Sequence, residues 1–338
     1  MEYRQLGRSG LKVSEICLGT MTFGHGTDER ESTAMVARAL DLGVNFFDTA
    51  NSYADSESER LLGKALSGRR DRAVVATKFY NPMGGGPNDS GMSRYHIMNA
   101  IDASLSRLDM DHVDIYYIHH VDQQTPLDEM LRALDDLVHA GKVRYIACSN
   151  FEAWRLMDAL WTSDANGLSR FVCYQPQYSL VVRDIEVELL PACTRTGLGI
   201  VTWSPLAGGF LSGKYQPGER SKQGTRSEQK WAYPDAYFAP NADDILAVLL
   251  EVAESLGKTP AETAIRWILE RPAITSVIVG ARTVAQFDAN VRAGGWRMPE
   301  DALARLNDVS APRIPYPQAM EWPRDAARLA AIESPPAP

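Results

Sequence analysis

Four residues able to move or hold a proton stand at the ends of apolar runs: Asp48, Tyr53, Lys78 and His119. Val44, Phe46 and Phe47 read as a buried strand that runs straight into Asp48, and Tyr53 follows in a short polar turn. Two later strands end the same way, in Lys78 and in His119. In a parallel barrel the C-terminal strand ends form the reactive face, so ionisable groups placed there point to function. If the four meet, the chemistry they suit is carbonyl reduction. Tyr53 serves as the general acid that protonates the developing alkoxide. Lys78 lowers the phenol's pKa from about 10, and Asp48 pairs with that ammonium. His119 bonds the carbonyl oxygen and orients it. Taken singly, each residue has a plainer reading: an Asp capping a helix, a Lys reaching solvent, a His satisfied locally. Four matched strand ends weigh against coincidence.

The elements that must position them recur as a short β-branched run, a polar turn and an amphipathic stretch. Strands are expected at 13–19, 44–48, 73–78, 113–118, 143–148, 171–175, 199–203 and 276–280. Helical spacing of apolar residues marks Glu31 to Leu42, Ser58 to Leu66, Ser93 to Leu108, Pro126 to Ala140, Glu152 to Leu160, Ile185 to Thr196 and Val284 to Val291. Eight alternating units close naturally as a (β/α)8 TIM barrel. Turn signals at Gly7 and Ser9-Gly10 put a small hairpin before it, covering one end of the core. Extra helices are expected at 243–256, 260–270 and Glu300 to Leu306. One domain spans 1–312, and a Pro-rich tail, 313–338, ends in residues expected to be disordered.

Two long loops fall on this frame. One, 79–93, contains Gly84-Gly85-Gly86 and follows the strand ending in Lys78. The other, 212–241, interleaves Gly, Pro and charge with Tyr215, Trp231, Tyr233, Tyr237 and Phe238, and has the size of a functional lid.

The composition bounds the partners. With 35 basic and 43 acidic residues the net charge is −8, which argues against phosphate backbones and anionic membranes. No apolar segment is long enough to span a bilayer, and the start lacks a signal-peptide pattern. Cys17, Cys148, Cys173 and Cys193 are far apart and read as buried thiols, so a cytoplasmic location is expected. Six His residues occur without HExxH or a Cys/His cluster, so no metal is expected. Gly208 to Tyr215 nearly spells a P-loop, but Tyr215 stands where a hydroxyl for magnesium is required. His120 either lines the substrate pocket or is a packed strand residue. No GxGxxG follows a strand.

The sequence resembles an aldo-keto reductase from Met1 to about Pro312. The likeness is carried by Leu6-Gly7-Arg8-Ser9-Gly10-Leu11, Leu18-Gly19-Thr20-Met21, Phe47-Asp48-Thr49-Ala50 with Tyr53, Ala76-Thr77-Lys78, Ile118-His119-His120, Gly141-Lys142-Val143-Arg144, Cys148-Ser149-Asn150 and Gln175-Pro176-Gln177-Tyr178. Trp203-Ser204-Pro205-Leu206, Gly213-Lys214-Tyr215 and Val279-Gly280-Ala281-Arg282 with Gln286 and Asn290 extend it. The resemblance implies a barrel that binds a nicotinamide dinucleotide and passes its hydride to an aldehyde or ketone. It implies that Thr20 and Met21 touch the nicotinamide ribose, that Ser149, Asn150 and Gln175 bond the carboxamide, and that Trp203 stacks on the ring. Ser204, Leu206, Gly208 and Lys214 are expected at the pyrophosphate, and Arg282, Gln286 and Asn290 at the adenosine half. Gly19, Asp48, Pro205 and Gly280 complete the cofactor set.

NADP(H) is expected over NAD(H), because the guanidinium of Arg282 can meet a 2′-phosphate with charge-assisted bonds. Thr283 and the following helix start add a hydroxyl and free backbone N–H groups. No Asp or Glu lies between Ser276 and Gln286, so no acidic residue that would repel the phosphate is expected there. A rival class shares these motifs: channel-associated beta subunits, mainly binding partners, in which the His position is typically altered, whereas here it is His119. Oxidation of a secondary alcohol or sugar is a third reading. Pocket walls come from loops, and the aromatics of 215–238 with Tyr316 and Trp322 suit a cyclic or aromatic substrate. Oligomeric state is not legible.

Overall fold

In this computed structural model residues 1–219 and 238–320 are described. The chain opens with an antiparallel hairpin, β1 (Tyr3–Gln5) and β2 (Lys12–Ser14). Eight parallel strands follow: β3 (Ile16–Gly19), β4 (Phe46–Asp48), β5 (Val74–Phe79), β6 (Val113–Ile118), β7 (Val143–Ser149), β8 (Phe171–Gln175), β9 (Gly199–Thr202) and β10 (Ser276–Gly280). They close in sequence order, with β10 pairing β3. The described α-helices are α1 (Glu29–Asp41), α2 (Glu57–Leu66), α3 (Arg94–Leu108), α4 (Leu127–His139), α5 (Ala153–Asn166), α6 (Leu189–Thr196), α7 (Ala242–Ser255), α8 (Pro260–Leu269), α9 (Val284–Val291) and α10 (Glu300–Val309). The TIM barrel and the hairpin are as expected.

One expected strand is two. The run 13–19 breaks at Glu15, whose N–H donates to the Glu2 carbonyl while its own carbonyl accepts from Val277. Glu15 therefore hands the chain from hairpin to barrel. Its carboxylate is fully buried and meets Arg4 at 3.3 Å and Arg266 at 3.8 Å. The expected helix from Ile185 to Thr196 also divides, into a single turn at Asp184–Glu186 and α6, because Glu188 is not helical. Conversely α5 runs past Leu160 to Asn166, where Gly167 at φ +64° ends it.

Two apolar layers share each strand. Leu6, Cys17, Phe46, Ala76, Ile115, Tyr117, Cys173 and Val201 fill the barrel interior. Leu18, Phe47, Val75, Tyr116, Ile118 and Tyr174 face the helices. The hairpin closes the N-terminal end. At Gly7 (φ +57°) a Cβ would lie 2.5 Å from the Gly199 amide, so the turn seats only with glycine.

Strand parity then dictates the upper mouth. Side chains alternate along a strand, so two positions beyond Cys17, Phe46, Ala76, Ala147, Cys173, Val201 and Ile278 come Gly19, Asp48, Lys78, Ser149, Gln175, Trp203 and Gly280. Counting on by twos from Tyr117 gives His119. The layer above the packed interior is thus built from the residues the sequence singled out.

Candidate active site

Asp48 and Lys78 end up side by side because β4 and β5 are neighbours, with Asp48 opposite Ala76. The Lys78 ammonium donates to Asp48 Oδ1 in a close ion pair, to the Thr49 carbonyl at 2.8 Å, and to the Tyr53 hydroxyl at 3.3 Å. Both charged side chains are almost wholly buried. The second oxygen of Asp48 accepts from Gln175 Nε2 at 2.9 Å, across the barrel. Burial pulls the ammonium toward neutrality, but Asp48 and the Tyr53 oxygen outweigh it and leave the Lys78 pKa above its ordinary value. Lys78 therefore stays a cation beneath the phenol.

His119 faces the same phenol, its ring edge-on to Tyr53 with centroids 5.8 Å apart. Burial, then the charge of Lys78 and then His120, holds its pKa well below 6.5, so the imidazole is neutral near pH 7. Asn81 Nδ2 lies 3.4 Å from His119 Nδ1 and donates to Ser52 Oγ at 2.9 Å. With Nδ1 facing an N–H donor, the ring proton belongs on Nε2, free to donate to a carbonyl oxygen. Asn81 was not a candidate from sequence. The only hint was its place in the loop after the strand ending in Lys78. His120 stacks on His119 at 4.5 Å and meets Tyr80 edge-on at 5.5 Å, so it belongs to the wall of the cleft.

The backbone that presents these groups is locally strained. Ala54, Asp55 and Ser56, directly after Tyr53, all have positive φ, as do Tyr80, Asn150, Ser204 and Ala207. Each left-handed non-glycine residue costs roughly 1–2 kcal/mol. All seven lie in loops at the C-terminal strand ends. The remaining positive-φ non-glycine residue described, Asp109, caps α3. Such strain clusters at functional sites.

The other residues singled out in the sequence stand along the strand ends beside this centre. Ser149 and Gln175 are adjacent in register, the Ser149 hydroxyl donating to the Gln175 carbonyl at 2.7 Å. Asn150, at φ +60°, turns its amide onto the His119 carbonyl at 2.9 Å. Trp203 lies just past β9, which ends at Thr202, and is bridged to Gln177. From Ser204 to Gly213 the chain curls through left-handed residues, with Gly208 at +68°, Gly209 at +105° and Gly213 at +84°. Concave backbone of this kind suits anions. Lys214 follows, exposed, and Pro205 and Leu206 lie inside the curl. Gly280 is exposed at the end of β10, with nothing within 4 Å of where a Cβ would sit. At Gly19 a Cβ would lie 2.6 Å from Ile278, which explains glycine at that position. Thr20 is buried, its hydroxyl on the Asp48 carbonyl and Ser58, and next to it comes Met21.

At the far end the structure corrects one expectation. Glu31, on α1, reaches the first turn of α9 and accepts from the Val284 amide at 2.6 Å. An acidic side chain from 253 residues earlier therefore meets Val284, two residues past Arg282. The Gln286 amide is capped by Thr283, and the Arg282 amide donates to the Gln286 side chain at 2.9 Å, so the expected free N–H groups are largely engaged. Asn290 holds the Gly280 carbonyl at 3.2 Å. Arg282 itself is exposed, its side chain passing by Gly26. The proposed lid aromatics Trp231, Tyr233 and Tyr237, and Trp322 of the tail, lie outside the described residues. Phe238 packs on Phe210, and Tyr316 is exposed.

Comparison with known proteins agrees with this geometry. The profile of the Aldo/keto reductase family matches residues 15–311. An uncharacterized oxidoreductase, YrpG, of Bacillus subtilis is 40% identical over 95% of this chain and all of its own length. A probable voltage-gated potassium channel subunit beta of Arabidopsis thaliana is 39% identical over 87% of this chain and 91% of its own. A versiconal hemiacetal acetate reductase of Aspergillus parasiticus is 32% identical over 94% of this chain and 99% of its own. Among the described residues no helix is long and apolar enough to cross a membrane.

Proposed function

The chain belongs to the aldo/keto reductase family, a family of oxidoreductases, and on that premise we propose that it is an NADP(H)-dependent enzyme reducing an aldehyde or ketone reversibly to the alcohol. The observation that carries this reading is the contact of Tyr53 with a buried, paired Lys78 beside a neutral His119. When bound, the nicotinamide supplies the hydride. Trp203, Ser149, Asn150 and Gln175 would hold its ring, the 204–214 turn its pyrophosphate, and Arg282 with Asn290 its adenosine half.

The chain's own groups do the rest. His119 Nε2–H orients the carbonyl oxygen toward Tyr53. The phenol gives its proton to that oxygen as negative charge develops, and the resulting phenolate is stabilised by the Lys78 ammonium. Asp48 fixes the ammonium, and Gln175 fixes Asp48. In the reverse direction the phenolate takes the proton from an alcohol.

The test is a panel of aldehydes, ketones and secondary alcohols followed by nicotinamide absorbance with either cofactor. Absence of turnover, with cofactor still bound, would favour a second reading that the channel-subunit relatives supply: a cofactor-binding regulatory protein. Retention of His119 speaks for turnover.

A further inference from the structure

The turn that carries Tyr53 is closed by a hydroxyl. It leaves β4 at Thr49, passes the left-handed residues Ala54, Asp55 and Ser56, and enters α2 at Glu57. Ser58, the second residue of α2, spans it. Its Oγ lies 2.9 Å from Thr49 Oγ1 at the start of the turn, and its N–H donates to the Tyr53 carbonyl at 3.3 Å. Ser58 does not cap the helix, since that position belongs to Ser56. The same Oγ lies 2.7 Å from Thr20 Oγ1 and donates to the Thr20 carbonyl at 2.8 Å, just past the end of β3. Ser58, Thr49 and Thr20 are all fully buried.

Proton counting orders this cluster. A carbonyl only accepts, so the single Ser58 hydrogen goes to Thr20 and the oxygen's lone pairs are left for the two threonine hydroxyls. The Thr49 hydroxyl therefore donates to Ser58. That anchors the residue whose carbonyl takes one hydrogen of the Lys78 ammonium, at 2.8 Å. The other two hydrogens go to Asp48 and to the Tyr53 hydroxyl. Asp48 is anchored in turn: Gln175 holds its side chain, and its carbonyl accepts from the Thr20 amide at 2.9 Å and the Thr20 hydroxyl at 3.1 Å. With two hydrogens on anchored acceptors, the ammonium aims its third at the phenol oxygen.

We propose that Ser58 is a positioning residue for the proposed acid, holding Lys78 and Asp48 in register beneath Tyr53 through Thr49 and Thr20. The role rests on the reading of Tyr53 as proton donor. Loosening the cluster lets the cation recede from the phenol, so Tyr53 should ionise at higher pH. Asp48 stays bound to Lys78, and His119, which also faces the phenol, is already neutral, so neither changes charge in the alkaline range.

The experiment uses the full chain. Ionisation of Tyr53 is read as the ultraviolet difference between each protein and the same protein carrying Tyr53→Phe, which cancels the other tyrosines. Ser58→Ala should raise the midpoint by about half a unit or more. Thr49→Val keeps the branched shape, loses the same hydrogen bond and should raise it too, which decides the matter if Ser58→Ala does not fold. The double variant should match Ser58→Ala, because the Thr49 bond is already broken there. If the wild type turns over, kcat for carbonyl reduction should fall about tenfold in Ser58→Ala, part of the hundredfold or more that a positioned acid contributes, with KM little changed. An unmoved midpoint in either variant, shifts that add in the double variant, or an undiminished kcat in Ser58→Ala would each overturn the proposal. A wild type that binds cofactor and reduces no carbonyl would instead sink the proposed reaction, while the titration, which needs no turnover, would still decide whether Ser58 places the cation.

Discussion

Gln175 reaches across the barrel and donates to Asp48 Oδ2 at 2.9 Å, so that both oxygens of this buried carboxylate are bonded, one to an ammonium and one to an amide. A buried ion pair survives only when its remaining polar valences are met. Gln175, which we propose also meets the cofactor's carboxamide, thus holds Asp48, which holds Lys78, which underlies Tyr53.

Tyr53→Phe should abolish carbonyl reduction while leaving cofactor binding nearly intact. The phenol oxygen lies 3.3 Å from Lys78 Nζ, and in the proposed mechanism it acts on the substrate oxygen. A positioned acid contributes about a hundredfold or more. Steady-state rates beside fluorescence titration decide it, and a variant keeping more than about a tenth of the wild-type rate rules out Tyr53 as the acid.

Lys78→Met should damage both activity and stability. Removing the cation raises the Tyr53 pKa, so any residual alcohol oxidation should need higher pH. It also strands Asp48 as a buried carboxylate, at a cost of about 3–5 kcal/mol. Urea unfolding and the pH–rate profile measure the two effects. An unchanged profile in a residually active variant would show that Lys78 and Tyr53 are uncoupled.

Arg282→Ala should weaken NADP⁺ by about 1.5–3 kcal/mol, the range for a hydrogen bond to a charged group, and leave NAD⁺ almost unchanged. Glu31, bonded to Val284 two residues past Arg282, opposes a 2′-phosphate by like charge. Glu31→Gln keeps the acceptor oxygen, removes that charge, and should tighten NADP⁺ severalfold while sparing NAD⁺. Calorimetric titration of both variants with both cofactors tests this, and equal changes for the two cofactors would contradict it.

Acid should destabilise the fold before any carboxylate titrates. The folded pKa values of His119, His96 and His120 lie below the ordinary His value, in each case chiefly through burial. The unfolded chain then binds more protons below about pH 6.5, so stability is fully present above that pH and falls as pH drops through it. Denaturant midpoints at pH 7.5 and 5.5 should differ, and His119→Asn should shrink the difference. A midpoint independent of pH across this window would refute the neutral, buried His119.

How much of this was legible before folding depended on distance along the chain. Asp48, Ser149, Gln175 and Gly280 each end their own strand, Lys78 stands one before the end of its strand and His119 one past the end of its own, so local patterning located them. The alternation of side chains then faces them inward, because a residue two places beyond a packed interior position shares its side of the strand. The barrel and its opening hairpin followed from the same short-range signals, although the turn at Glu15 was hidden inside one continuous apolar run. Residue type and strand period therefore determined the fold and which groups meet at the mouth. What only the tertiary structure decided were contacts between distant segments: Gln175 on Asp48 across the barrel, Asn81 setting the His119 tautomer, and Glu31 crossing from α1 to α9. No local pattern encodes these, because each depends on barrel closure and helix packing bringing side chains from separate βα units to one point.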